Sequence, residues 1–325
     1  MPNQLNYAER WAPSLLEIYM QETLISPFMT TNVNWIGAKT FHFTQMSTSG
    51  FKSHNRNGGW NRGSYIQTDV PFTLKHDRDI SFLIDKMEVD ETNATVSMKN
   101  VSNVFTRTQA VPEANALFFS KVAQTAVKQE GYHSSTALSA WTKANAYSKL
   151  KAIIGMGKLR RYKAKGALIA YVCSEIMDLI EQSSELQRKI EVTQIAEGGI
   201  GIETRVTSID NVPVMEVIDD EVFYDAFDFD SEEGGFEPAE GAHRINVLVA
   251  SPLTTKFVPK VNSIYYFAPG THTEGDGYLY QNRSFSDVFT FPNGKNNKID
   301  SVAVDVDTAT YTAPVDTEAD DGGEE

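Results

Sequence analysis

The sequence predicts an α+β fold, in which runs of helices and runs of strands share one polypeptide. Three observations support this prediction: period-two alternation in residues 39–74, a long helical pattern in residues 92–130, and a succession of short apolar runs after residue 243. The chain has 325 residues, of which 41% are hydrophobic and 22% charged, so it has ordinary globular composition and can bury a sizeable core.

Residues 1–38 are predicted to form an extended arm that contains one short helix. In the segment PSLLEIYMQETLI, Pro13 suits a first helical turn, and Leu15, Leu16 and Ile18 supply an apolar side. An arm of this kind has little core of its own, so we expect it to lie on a neighbouring molecule. The start of the chain does not resemble a secretory signal, and no apolar run reaches the roughly 18 residues of a membrane span.

Residues 39–74 are predicted to form a long two-stranded hairpin. Apolar and polar residues alternate in KTFHFTQM and again in YIQTDVPFTL, and the segment between them is dense in Gly, Ser and Asn. An isolated hairpin is marginally stable in water, so we expect another subunit to cover it. The candidate contact residues in this segment are Phe41, Phe43, Trp60 and Arg62.

The helical part of the prediction follows from apolar residues at spacings of three and four. Residues 92–130 form either one long helix or two, with a break or kink at Pro112. A further helix is predicted over residues 135–154. Ser174 is a plausible N-cap for another helix, whose apolar positions continue to Ile190.

The remaining strands are predicted from short apolar runs bounded by turn residues. Residues 167–173 read as a buried strand that contains Cys173, the chain's only cysteine. Later runs with the same character are RVTSI, VPVMEVI, INVLVA, TKFVPKV, SIYYFAP, YLYQNRSFSDVFTF and KIDSVAVDV.

Charge is strongly segregated along the chain, whose formal net charge is -14. The stretch from Val206 to His243 has 12 acidic residues and neither Lys nor Arg, whereas the stretch from Gly131 to Ser174 has eight basic residues and no acid. Two interpretations stay open: solvated surfaces, or a basic face on one copy that meets an acidic loop on the next. The candidate contact residues are Arg160, Arg161 and Lys163 on the basic side, and Asp228, Asp230 and Glu232 on the acidic side.

No catalytic motif is present in the sequence. The six histidines show no HExxH spacing, and there is no GxSxG, no GxxxxGK[ST] and no GxGxxG after a strand. A single cysteine excludes an internal disulfide and a multi-cysteine metal site. We therefore expect no catalytic residue, no cofactor and no metal ion.

The acidic stretch approaches the pattern of a calcium loop without completing it. Asp228, Asp230 and Glu232 have the alternate spacing of oxygen ligands, but the required glycine position holds Glu233 and the closing glutamate position holds Ala239. A solvated acidic loop is the favoured interpretation. A soluble calcium-binding module or enzyme stays as an alternative from a different functional class.

Two blocks of the sequence carry a family resemblance. The first is DVPFTLKHDRDISFLIDKMEVDET followed by VFTRTQAVPEANALFFSKVA, and the second is INVLVASPLTTKFVPKVNSIYYFAPGTHTEGDGYLYQNRSFSDVFTF. The first block resembles the hairpin exit and spine helix, and the second the C-terminal segment, of the major capsid proteins of tailed bacteriophages, which have the Hong Kong ninety-seven-type capsid fold.

This resemblance implies a division of the chain into structural parts. The parts are an N-terminal arm (1–38), an extended hairpin loop (39–74), a peripheral domain with the spine helix (75–132 and 244–300), an axial domain with the acidic loop (133–243) and an acidic C-terminal tail (301–325).

The same resemblance implies a structural role without enzymatic activity. The protein would assemble in the host bacterial cytoplasm into hexamers and pentamers of an icosahedral virion capsid around double-stranded DNA. Its expected partners are further copies of itself, a separate scaffolding protein, a portal and the packaged DNA without sequence specificity, and no membrane. An encapsulin-like nanocompartment, which packages protein cargo, is the alternative with the same fold.

Overall fold

The computed structural model describes most of the chain, with gaps. It describes residues 23–30, 40–54, 60–85, 87, 98–183, 190–192, 205–230, 234–293 and 298–312. The first 22 residues of the predicted arm and residues 313–325 of the predicted tail lie outside the described residues.

The described chain contains helices together with runs of successive strands, which confirms the α+β prediction. The strands are β1 (Thr40–Thr48), β2 (Tyr65–Thr73), β3 (His76–Asp85), β4 (His133–Ser135), β5 (Ile169–Cys173), β6 (Ile190–Val192), β7 (Arg205–Ile209), β8 (Val212–Val217), β9 (Phe227–Asp228), β10 (Glu237–Pro238), β11 (His243–Ala250), β12 (Thr255–Phe267), β13 (Gly277–Thr290) and β14 (Val302–Thr310). The α-helices are α1 (Met98–Phe105), α2 (Val111–Val127), α3 (Ala146–Ile154), α4 (Arg160–Lys163) and α5 (Ser174–Glu181). Shorter helical turns are a π turn (Thr106–Ala110) and 3-10 turns (Ser26–Phe28, Leu138–Ala140, Asp220–Val222).

The largest sheet of the described chain has seven strands in the order β4-β14-β11-β5-β8-β7-β6. The β4–β14 and β5–β8 pairs are parallel, and the other neighbours are antiparallel. Every residue of β5 is buried, as expected for a central strand covered on both faces. Helix α2 packs on this sheet through the buried side chains of Leu117, Phe118 and Phe119.

Strand β14 corrects the predicted start of the acidic tail at residue 301. Val302, Val304 and Val306 are buried between β4 and β11. Asp305 is also fully buried, and its carboxylate accepts hydrogen bonds from the hydroxyls of Ser134 (2.6 Å) and Thr136 (2.9 Å). The apolar valines form a core strand here, and the buried acid is tolerated because it is hydrogen-bonded.

A second sheet has three antiparallel strands in the order β12-β13-β3. The two predicted strands TKFVPKV and SIYYFAP form the single strand β12, which contains a register shift between Val261 and Ser263. Pro259 fits within β12 because this is an edge strand, where a missing N–H breaks no ladder on the open side.

The long predicted helix is continuous from Met98 to Val127, so the sequence was right to leave the single-helix possibility open. A π turn, Thr106–Ala110, precedes Pro112, and the Val111 N–H donates to the Thr106 carbonyl. This wider turn lets the helix continue past Pro112, which has no backbone N–H to donate. The helical span of 8, 5 and 17 residues is about 45 Å long and forms the spine between the two sheets.

The helix predicted over residues 135–154 is wrong in its first half. Residues His133–Ser135 form β4, and the helix begins only at Ala146. Asn145 folds the preceding residues into a turn, because its Oδ1 accepts from the Thr142 N–H at 2.8 Å and its Nδ2 donates to a backbone carbonyl. Such local side-chain bonds compete with helix formation.

The prediction of an N-cap at Ser174 is also wrong. Ser174 is the first residue of α5, and its hydroxyl donates to the Val217 carbonyl at 3.1 Å, which ties the helix to β8. The helix ends at Glu181, and Ile190 belongs to β6 instead. Residues 184–189 lie outside the described part of the chain.

Candidate assembly surfaces

The leading segment, residues 23–30, inserts into the core of its own chain. Ile25 and Phe28 are fully buried, and the Phe28 ring lies 4.8 Å from the ring of Phe118 between centroids. The Thr30 N–H donates to the Phe257 carbonyl at 3.0 Å. The expectation that the arm has little core of its own is therefore wrong for these residues, because their apolar side chains pack in the core beside α2.

The base of the hairpin formed by β1 and β2 is likewise fastened to its own chain. Phe41 is 3% exposed, and its ring lies 5.7 Å from that of Phe72 and 5.2 Å from that of Phe289. Leu74 and Phe285 complete this small apolar cluster. These contacts correct the assignment of Phe41 to a surface between subunits, since its own chain covers it.

Strands β1 and β2 pair without a register shift. Thr40 lies opposite Thr73 at the base of the hairpin, and Thr48 lies opposite Tyr65 at the far end. Phe43 stands opposite Val70, and its side chain lies outside the described residues. The hairpin predicted over residues 39–74 is thus present in the structure, with its strands where the alternation placed them.

The distal part of the hairpin presents aromatic side chains to solvent. Backbone and hydroxyl bonds join Ser49 to Ser64 at 2.8 and 2.9 Å, which closes the two strands at this level. Beyond that pair, Phe51 is 110% exposed and Trp60 is 95% exposed. We call residues 49–54 and 60–64 the hairpin tip.

Hydrogen bonds hold the two sides of the hairpin tip together. The Asn61 side chain donates to the Ser53 carbonyl at 2.8 Å and to the Lys52 carbonyl at 3.4 Å. The tip therefore presents its aromatic side chains from a bonded backbone. Trp60 and Arg62, which the sequence predicted as contacts, are both exposed there.

Arg78 of β3 fastens the acidic loop, whose described residues are 225–230 and 234–240, over the spine. The Nε of Arg78 lies 2.9 Å from Glu113 of α2, whose carboxylate is also 2.7 Å from the Nε2 of His76. The remaining nitrogens of the Arg78 guanidinium donate to the carbonyls of Phe229 and Gly235. All three guanidinium nitrogens are thus used, and the short β9–β10 hairpin is held against β3 and α2.

These elements enclose a cavity of about 610 Å³ that is partly open to solvent. Its walls come from β3, the π turn, the start of α2, β12 and β13, and from residues 234–237 of the acidic loop. Phe82 and Phe105 provide an aromatic wall, with their rings 5.5 Å apart, and Ser284 and Glu237 provide polar groups. Sequence reasoning missed this cavity because its walls are distant in the chain.

The predicted basic face is partly engaged within its own chain. Lys163 lies 2.8 Å from Asp210, and Lys151 lies 3.3 Å from the same carboxylate. The hydrogen bond with Lys163 is the largest cause that lowers the pKa of Asp210 below its ordinary value. Arg160 and Arg161 of α4 are exposed.

Two of the predicted acidic contact residues are exposed on the acidic loop. These are Asp228 and Asp230, and an Asp228 carboxylate oxygen accepts from the Asp230 N–H at 2.9 Å. Glu232 lies outside the described residues. Within the described chain, no three His, Cys, Asp or Glu side chains are gathered to hold a metal ion, and no helix is both long and apolar enough to cross a membrane.

The single cysteine lies in the core. Cys173 is fully buried at the end of β5, and burial is the largest cause that raises the pKa of its thiol to about 12. A thiol protonated at neutral pH is a poor nucleophile. The burial of Cys173 agrees with the sequence prediction that it lies in a buried strand.

Comparison with solved structures identifies the fold. The chain superposes on a subunit of the bacteriophage PhiM1 mature capsid with a TM-score of 0.58 and 13% identity, covering 88% of this chain and 87% of that one. The capsid of cyanophage P-SCSP1u gives a TM-score of 0.53 and 10% identity, covering 88% of each chain. The capsid of Ralstonia phage GP4 gives 0.51 and 9%, covering 90% of this chain and 92% of that one.

No protein-family model and no curated protein matches the sequence. The similarity is therefore one of structure, and it confirms the phage capsid fold that the two sequence blocks predicted.

Proposed function

We propose that this chain is the major capsid protein of a tailed bacteriophage, and that it assembles into hexamers and pentamers of an icosahedral head around double-stranded DNA. The observation that supports this most directly is the hairpin. Its base is buried in its own chain, whereas Phe51 and Trp60 at its tip are uncovered. Exposed aromatic side chains on a hydrogen-bonded tip indicate a surface that another molecule covers.

The scale of such contacts suits a permanent shell. Obligate interfaces typically bury about 2,000 Å² or more, and their aromatic residues supply much of the binding free energy. Phe51 and Trp60 are both large exposed aromatic side chains at the same hairpin tip, and they fit the centre of such an interface. We therefore place the hairpin tip, with Trp60 and Arg62, between copies of the chain.

Charge provides the second element of the proposal. Arg160 and Arg161 are exposed in a stretch without acids, and Asp228 and Asp230 are exposed in a stretch without bases. We place these groups, with Lys163 and Glu232, at a contact between neighbouring copies, where opposite charges would set orientation. A head-to-tail contact of this kind closes into a ring whose size depends on the rotation angle.

The proposed role is structural, and it requires no catalysis by the subunit. The subunit would assemble in the bacterial cytoplasm with a separate scaffolding protein and a portal, and the finished shell would be the virion capsid. The structures on which this chain superposes are phage capsids, and this supports a shell role.

Electron microscopy of particles from producing cells tests the proposal. We expect closed icosahedral shells built from this chain, with nuclease-protected DNA of uniform length inside them. Shells that hold a protein cargo and no protected DNA would identify the encapsulin-like alternative instead. A monomer that forms no shell, and that gives a saturable one-site calcium isotherm at micromolar concentration, would favour the calcium-binding alternative.

A further inference from the structure

We propose that Trp60 of one copy seats in the cavity between β3, the π turn and the acidic loop of a second copy. This inference rests on the proposed function, because it names the two surfaces that meet when copies associate. Neither surface is covered within the described chain: Trp60 is 95% exposed, and the cavity is partly open to solvent.

Cavity size and wall chemistry suit an aromatic side chain. A volume of about 610 Å³ lies within the range of sites that enclose small ligands, so it admits one indole ring. Phe82 and Phe105 meet edge to face at 5.5 Å on its wall, and aromatic groups add favourably to such pairs. Serine and asparagine side chains on β13 supply polar groups for the indole N–H.

The occupant must come from another copy, because the chain's own tip is out of reach. His76, which lines the cavity, follows the end of β2 by only three residues, so the cavity lies near the hairpin base. Each hairpin strand has nine residues, which places the tip about 30 Å from that base. The regular register of β1 with β2 excludes a fold-back between Thr40 and Thr48.

Charges at the tip and at the cavity rim are complementary. Lys52 and Arg62 are exposed at the tip, and no acidic residue occurs between Thr48 and Thr68. At the cavity, Asp79 and Glu237 are exposed, and Lys260 on the wall is half-buried, so the acids of the wall outnumber its Lys and Arg by three to two. The third acid of the wall, Glu113, is already matched by Arg78 and His76.

The cavity exists because the acidic loop is held over the spine. Arg78 ties the carbonyls of Phe229 and Gly235 to Glu113, so the loop forms one wall of the cavity. Seating a tip there would couple the acidic loop of one copy to the hairpin of the next. The two features that the sequence singled out separately would then belong to one contact.

Disulfide trapping between two variants tests this contact. Arg62→Cys in one tagged copy and Glu237→Cys in an untagged copy place thiols beside Trp60 and at the cavity rim. The native Cys173 is fully buried and does not compete. We expect a reducible heterodimer on oxidation of mixed assemblies, and we expect none from Arg62→Cys mixed with Lys143→Cys, whose side chain is exposed on the basic stretch.

Adding Trp60→Ala to the Arg62→Cys copy tests the anchor itself. The crosslink yield should fall about 30-fold or more, the level expected for an aromatic hot spot, while Phe51→Ala should have a clearly smaller effect. Both substituted positions are exposed, so circular dichroism should show an unchanged fold.

The possible failures separate this inference from the proposed function. Wild-type protein that never associates overturns both. Shells that form normally without the specific crosslink, or with a crosslink that Trp60→Ala leaves unchanged, overturn the inference alone.

Discussion

Replacing Phe28 with alanine tests whether the leading segment is part of the subunit's own core. Its ring is fully buried, and it lies 4.8 Å from the ring of Phe118 and 6.2 Å from that of Tyr171. Both neighbours are themselves fully buried or nearly so, so the surroundings have little freedom to collapse into the space that the substitution creates. We expect Phe28→Ala to lower the free energy of unfolding substantially.

The magnitude follows from burial and from the residual cavity. Burying a phenylalanine side chain contributes roughly 1.5–3 kcal/mol, and an unfilled cavity adds about 24 cal/mol per Å³. Measured Phe→Ala changes in cores are about 3–5 kcal/mol, and the rigid surroundings of Phe28 favour the middle of that range, about 4 kcal/mol. A typical domain has a stability of about 5–15 kcal/mol, so this loss is large.

Urea unfolding of the unassembled subunit, followed by circular dichroism, measures this change. Phe28→Leu is the matched variant, since a substitution that nearly conserves volume should lower the free energy of unfolding by less than about 1.5 kcal/mol. Phe51→Ala at the exposed hairpin tip is the surface control and should change it by no more than about 0.5 kcal/mol. A loss below about 1 kcal/mol for Phe28→Ala would refute the placement of residues 23–30 in the core.

Three further predictions concern the tip, the basic face and an ion pair. Replacing residues 50–63 with Asn-Gly should leave a folded subunit that forms no stable shells, because Ser49 and Ser64 already meet across the hairpin and suit a two-residue turn. Arg160→Glu with Arg161→Glu should impair assembly at least about tenfold in particle yield by electron microscopy, if opposite charges orient neighbours. Arg244→Met should reduce the loss of unfolding free energy that accompanies a fall in pH from 6 to 3, as measured by urea unfolding.

The reasoning behind the ion-pair prediction starts from Glu175. Burial by itself would raise the pKa of its carboxyl, but the bidentate bonds from Arg244, both 2.7 Å, outweigh that effect and lower the pKa below the ordinary 4.5. A carboxyl whose pKa is lower in the folded state stabilises the protein above about pH 4.5, and this contribution disappears as pH falls through the folded pKa. If Arg244→Met lost as much unfolding free energy as the wild type between pH 6 and 3, the ion pair would not be the cause of the pH dependence.

Each of the other two predictions has its own control. Lys143→Glu with Lys165→Glu changes the same net charge at exposed positions of the same stretch, so equal impairment would indicate a general effect of charge and not a specific contact. Lys163 is unsuitable for this comparison because it also holds Asp210 in its own chain. For the shortened hairpin, wild-type particle yield would show that the tip does not join subunits.

Local patterns in the sequence identified most of the regular elements. The alternation in residues 39–74 predicted the hairpin because side chains of a strand point alternately to opposite sides. The helical spacing in residues 92–130 predicted the spine, although Pro112 left its continuity open. The structure resolves that ambiguity through the π turn, which local spacing does not show.

Predictions based on composition were less reliable than those based on spacing. The acid-rich end of the chain suggested a tail from residue 301, yet Asp305 is buried and accepts bonds from Ser134 and Thr136, more than 160 positions earlier. Phe41 was predicted to contact a neighbouring subunit, but its ring packs on that of Phe289, which lies 248 positions later in its own chain. A single sequence does not show such long-range pairs, so buried groups were mistaken for exposed ones.

The hairpin's two ends have different roles, and this difference is what makes it suitable for assembly. Ordering a flexible segment on binding lowers affinity, because the lost conformational freedom offsets part of the contact energy. Here Phe41, Leu74 and Phe285 fix the base, and the register from Thr40 to Thr48 extends that fixed direction toward the tip. The tip can therefore meet a second copy with little further ordering. A hairpin that needed its neighbour for its own folding, as the sequence suggested, would bind more weakly than one already anchored at its base.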